Sequence, residues 1–190
     1  MEKIQYTTIS IELGNAPEIK DVLQRIAQYK DKTVVNIINP ATNDTVIFSA
    51  ENLQTMLTEG TSKVHFQAMD TRDYLSLMAQ LIQQIASTGE MLRDKLLRHR
   101  TADLLVEMSD FLSKLGNIIV MISCFAKQQS HLGLEQNMDK LRQCQEHLGL
   151  ACFYFEDNVR CRDEISYIIL PVVQQVAGQI KGNGTLKNCK

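Results

Sequence analysis

Three stretches of this chain repeat apolar residues at alternating steps of three and four. The first is Leu75, Met78, Ile82, Ile85, Gly89, Leu92, Leu96, and the second is Leu104, Met108, Phe111, Leu115, Ile118, Ile122, Phe125. The third is Leu134, Met138, Leu141, Gln145, Leu148, Cys152, Phe155, Val159. A mean step of about 3.5 residues keeps one stripe of each helix facing a neighbour, which predicts a left-handed, coiled-coil-like bundle. Asp70 or Thr71 caps the first helix, with acidic residues on the positive end of its dipole. Arg98-His99-Arg100 suits a helix C-terminus and Thr101-Ala102-Asp103 a fresh N-cap, so a turn is expected there. No Gly or Pro enforces that turn, and a single helix over 71–126 competes with it. A fourth helix carries Ile165, Ile168, Ile169, Val172, Val176 and Ile180 along one side, with Pro171 in its interior predicting a kink near Tyr167.

The first 68 residues follow another period. Ile4 and Tyr6, then Ile9, Ile11 and Leu13, alternate with polar neighbours, and the phase slip at Thr7-Thr8 predicts a bulge or bent strand. Gly14-Asn15-Ala16-Pro17 breaks the strand, with Asn15 as a cap and Pro17 in the first turn of a helix striped by Ile19, Val22, Leu23, Ile26 and Tyr29. Thr33–Ile38 and Thr45–Phe48 flank a turn cluster and read as a hairpin. Ser49-Ala50-Glu51-Asn52 opens a short helix, and Val64, Phe66 and Ala68 form a last strand. The order β-α-β-β-α-β is that of split βαβ, ferredoxin-like domains, although other sheet orders suit the same elements. The expected organisation is therefore α+β. An αβ domain covers 1–69, an antiparallel four-helix bundle 70–181, and a disordered tail with an exposed Cys189 covers 182–190.

Composition narrows the chemistry. With 44% hydrophobic and 22% charged residues the chain is an ordinary globular one. A net charge of −2 gives no footprint for nucleic acid or an anionic membrane. No apolar run approaches the roughly 18 residues of a membrane span, and the N-terminus lacks the apolar core of a signal peptide, so a cytoplasmic protein is expected. Five cysteines without that signal read as free thiols.

Candidate sites are few. Cys144 and His147 lie three residues apart with Cys152 and Cys161 beyond, but helical geometry sends Cys152 into the seam and His147 to the polar flank. Inward Glu-x-x-His pairs, G-x-S-x-G and phosphate-loop patterns are all missing, so no catalytic residue, cofactor or metal is expected. Gln145 at a seam position is either a paired, register-setting polar group or an edge that reaches water. Apolar character exceeds the needs of one seam at Ile119, Val120, Phe153 and Tyr154, which are the expected partner-binding residues.

From Tyr74 to Ile122, the residues Leu75, Ile82, Ile85, Leu92, Ala102, Leu104, Leu105 and Leu112 give the chain a resemblance to small bacterial helical chaperones and adaptors of the flagellar export type. The resemblance covers about a quarter of the chain, and the αβ half departs from it. The expected function is that of a non-catalytic adaptor or chaperone, a homodimer, that binds a partner helix or a second copy through the helical bundle. The alternative is a ligand-sensing or enzymatic domain with a pocket between the halves, or inside the bundle at the Pro171 kink, lined by Tyr167, Cys124 and His147.

Overall fold

Four strands and two helices build the first unit of a computed structural model that describes residues 5–13, 18–29, 31–39, 42–58, 63–128, 135–153 and 157–186. The strands are β1 (Thr7–Glu12), β2 (Lys32–Ile38), β3 (Thr45–Ile47) and β4 (Lys63–Asp70), and the helices are α1 (Ile19–Ile26) and α2 (Ala50–Thr58). The sheet order is β1-β4-β2-β3 and every neighbouring pair is antiparallel. β4 thus separates β1 from β2, and β2 separates β3 from β4, so both split βαβ units of the expected element order are present. The inner positions, however, belong to β2 and β4, not to a ferredoxin-like pairing. Which strand becomes an inner one is decided by burial: β4 buries Val64, Phe66 and Ala68, and β2 buries Thr33, Val34 and Ile37.

The bulge falls elsewhere than expected. β1 runs in regular register against β4, whereas β2 slips between Val34 and Asn36. The extra residue breaks alternation, which is why β2 reads as a continuous apolar run. The side-chain amide of Gln128 compensates the slip: its Nε2 donates to the Val34 carbonyl at 2.9 Å and its Oε1 accepts from the Val34 amide at 2.8 Å. The hairpin between β2 and β3 closes with Asn39 N–H donating to the Asp44 carbonyl and Asn43 at φ 60°. Glu18 with Asp21 forms a capping box on α1, while Gly14–Pro17, assigned that role from sequence, lie outside the described residues. Ser49 caps α2 by accepting from the Asn52 amide at 3.0 Å.

The second unit is helical: α3 (Thr71–Lys95), a 3-10 turn (Thr101–Leu104), α4 (Leu105–Gln128), α5 (Glu135–Phe153), α6 (Asn158–Asp163), a π turn (Glu164–Ile169) and α7 (Leu170–Leu186). The expected boundary at 69/70 moves. Residues 1–75 and 124–130 form one compact unit, and 76–123 with 131–190 form the other. Cys124 and Phe125 explain the exchange: the Cys124 thiol donates to the Phe48 carbonyl, and Phe125 stacks on Tyr74 at 5.6 Å. At the other end, α7 carries its helical backbone through Leu186, where a tail was expected, and Cys189 lies outside the described residues.

α3 and α4 form a hairpin rather than one helix, since the chain turns at 96–100 and Lys95 reaches Glu107 at 2.6 Å. A β-carbon at Gly89 would meet Leu170 Cδ2 at 3.1 Å and Phe111 Cε2 at 3.4 Å, so the seam glycine lets α3, α4 and α7 close together. Gln145 takes its place between α4 and α5 by donating to the Leu112 carbonyl at 3.1 Å, in space left by the missing side chain of Gly116. It is both half-buried and paired. Asn137 and Gln179 join α5 to α7 at 2.8 Å. α3 runs antiparallel to α4 and α5 to α7, and Met78, Ile85, Phe111, Ile118, Leu148 and Ile165 are all buried.

The α3–α4 turn is held by a side chain from far along the chain. Asn158 Oδ1 accepts from the amide and the hydroxyl of buried Thr101, each at 2.5 Å, and its Nδ2 donates to the His99 carbonyl at 2.7 Å. Asn158→Ala strands those groups and is expected to cost about 2 kcal/mol. Urea unfolding should show a lower midpoint at unchanged slope, whereas an unchanged midpoint would mean the turn is set by its own sequence.

Candidate functional site

Proline at position 171 has no N–H to give the carbonyl four residues back, and its ring clashes with that carbonyl. A wider turn resolves both problems. Between α6 and α7 the Leu170 amide donates to the Ile165 carbonyl, five residues back, and Glu164–Ile169 adopt the π turn. The expected kink near Tyr167 is thus a change of winding. A π turn takes up one extra residue and rotates the helix before it relative to the helix after it. Ile165 and Ile169 stay buried, and Ile168, assigned to the inner stripe from sequence, is 40% exposed beside Tyr167 at 77%.

Val159 makes the second departure. It was expected to close the α5 seam, but α5 ends at Phe153 and a new helix starts at Asn158, capped by Asp157 Oδ1 accepting from the Arg160 amide at 3.0 Å. The restart resets the phase and leaves Val159 59% exposed. Val159, Tyr167 and Ile168 line a surface groove of about 450 Å³ with Asp157, Arg160, Asp163 and Glu164. The lining side chains carry three carboxylates and one guanidinium, and Asp163 is paired beside them with Arg162 at 3.0 Å. Glu164 Oε1 lies 3.7 Å from His147 Nδ1, and its Oε2 is buried with no hydrogen-bond partner among the described residues. Leu150 and Phe153, both exposed, stand on the adjoining last turns of α5.

The partner-binding residues expected from sequence do not form one patch. Ile119 is 4% exposed and its side chain is spent inside the fold. Val120 is exposed, but it lies about 22 Å along α4 from Leu105 at about 1.5 Å per residue. Phe153 sits at the other end of α4, because its neighbour Cys152 touches Cys161 and the adjacent Asn158 binds Thr101. Tyr154 lies outside the described residues. Val159 and Ile168 are expected from sequence on buried stripes and Tyr167 only at the kink and in the alternative pocket, although Pro171 inside an apolar helix is a signal for a shift of phase.

Thiols and titratable groups place themselves as follows. Cys144 is buried and its thiol is pushed up by burial and by the nearby Glu164 carboxylate, which also lies 3.7 Å from the exposed His147. Among the described residues no three His, Cys, Asp or Glu side chains come together to hold a metal ion. Cys124 belongs to the core of the first unit, and burial pushes up the hydroxyl of Tyr74. Among the described residues no helix is long and apolar enough to cross a membrane.

No known protein family, curated protein sequence or solved structure matches the chain. The groove's own chemistry carries the functional argument: an apolar floor within an acidic rim, on a helix whose winding turns those residues outward.

Adjacent residues give a direct check of that winding. Ile169→Asp places a carboxylate where exposure is 0% and is expected to destabilise the protein by at least about 3 kcal/mol. Ile168→Asp should stay within about 1 kcal/mol of the parent. Equal losses in thermal or urea unfolding would mean that an unbroken α-helix runs through the site.

Proposed function

We propose that this protein is a non-catalytic interaction module, an adaptor or chaperone, that docks a partner helix on its helical unit. The single observation behind this reading is the outward-facing set Val159, Tyr167 and Ile168 in a groove rimmed by Asp157, Asp163 and Glu164. Apolar side chains of that size exposed together, inside a charged rim, have the composition of a helix-binding surface. The rim selects the occupant's charge. An amphipathic helix with Lys or Arg flanking its apolar stripe would neutralise the exposed carboxylates of that rim. That helix comes from another protein or from a second copy of this chain in a homodimer.

Tyr167→Ser with Ile168→Ser removes the apolar floor without adding charge, and both side chains are exposed, so circular dichroism should be unchanged. The parent is expected to sediment above the 21.6 kDa monomer or to bind a labelled Leu/Lys amphipathic helix. The double variant should weaken whichever association is seen by about 30-fold or more, the loss of one interface hot spot. Asp163→Lys should weaken binding of the basic helix and make it less sensitive to salt. A parent that remains monomeric and ignores the helix, or a double variant that binds like the parent, contradicts the proposal.

A further inference from the structure

Cys152 and Cys161 face each other across the break between α5 and α6. Both side chains are fully buried, and their Sγ atoms are 2.8 Å apart. A disulfide has its sulfurs about 2.05 Å apart, so closing the bond needs an approach of only about 0.8 Å. The surroundings already hold the two ends in place. The Asp157 amide donates to the Ala151 carbonyl at 3.2 Å, and Asn158 is tied to Thr101 and His99.

The pair is also chemically unequal. The hydrogen bond with Cys152, then the Thr101 hydroxyl and the Arg160 guanidinium, hold the Cys161 thiol below its usual value against the cost of burial and the nearby Asp157 carboxylate. The same hydrogen bond, with burial, pushes Cys152 up. One sulfur is thus favoured as thiolate and its neighbour as the protonated partner, the division of labour used by reactive dithiols.

We infer that Cys152 and Cys161 form a reversible dithiol–disulfide site, oxidised by a small peroxide such as hydrogen peroxide. In the first step the Cys161 thiolate attacks one peroxide oxygen and the O–O bond breaks. Cys161 becomes a sulfenic acid, and the second oxygen leaves as hydroxide and takes up a proton to become water. In the second step Cys152 gives up its proton and its sulfur attacks that of Cys161. The S–S bond forms, the S–O bond breaks and a second water leaves. The dithiol has then lost two electrons and two protons, and one hydrogen peroxide has become two waters. An external dithiol such as dithiothreitol reverses the change by exchange and is itself oxidised to a disulfide.

The test uses the reduced full-length chain. It is treated while folded with a few equivalents of hydrogen peroxide, then unfolded, alkylated with iodoacetamide and cut with trypsin. The expected product is fragment 143–160 joined to 161–162, with two of the five cysteines no longer alkylated and all five restored by dithiothreitol. Fragment 143–160 also contains Cys144, so peptide sequencing by mass spectrometry locates the bond. Cys144→Ser should keep the link and Cys152→Ser should lose it. Because the link is read on the parent chain, a variant that folds poorly does not spoil the result. Five alkylated cysteines after peroxide, or a bond through Cys144 or Cys189, overturns the inference.

Discussion

The missing amide hydrogen of Pro171 is the constraint on which the outer face of the helical unit depends. A helix carrying proline in its interior must leave one carbonyl unserved or change its winding. This helix changes its winding, through the five-residue bond from Leu170 to Ile165. Ile165 and Ile169 are kept in the core on either side of the wide turn, and Tyr167 and Ile168 are carried outward. An unbroken helix would present another set of residues to solvent. The same proline that weakens the helix locally therefore produces a surface that a regular stripe would have hidden.

Much of the fold was legible because seams are local. Every apolar residue of the second repeat, from Leu104 to Phe125, is buried, and so are Met78, Ile82, Ile85, Leu92 and Leu96 of the first. Helix identity follows from spacing along one element, and the hairpin of β2 and β3 follows from turn residues next to the strands they join. Sheet order is different in kind. Whether β1 or β4 occupies an inner position depends on pairing between segments more than 50 residues apart, and alternation within a strand carries no information about its neighbours. The domain boundary was missed for a related reason. Cys124, Phe125 and Gln128 look like the end of a helical repeat, yet their bonds go to Phe48, Tyr74 and Val34.

The candidate site was the least legible part, and each miss has a physical source. Ile119 looked surplus to the α4 seam, but that helix is buried on more than one side and absorbs it. Val159 and Ile168 looked internal because a count at constant period runs straight through a helix restart and a π turn. The thiol pair was hidden differently. Cys152 was read as a small core residue, which its burial matches, but its neighbour Cys161 stands in a segment with no seam of its own. Only the helix restart at Asp157 and Asn158 brings the two sulfurs together. For Val159, Ile168 and the thiol pair the information lay in a helix restart or a change of winding, where spacing along the sequence stops reporting position in space.

The face turned outward by the π turn is the surface proposed to dock a helix. Site-directed photo-crosslinking tests it most directly, with p-benzoylphenylalanine replacing Tyr167 in the full chain. Tyr29, an exposed tyrosine of the other unit, serves as the control position. Irradiation should give one covalent product from position 167, at twice the chain mass or at the mass of chain plus basic helix, and none from position 29. Equal yields from both positions, or no product from position 167, would contradict docking at this face.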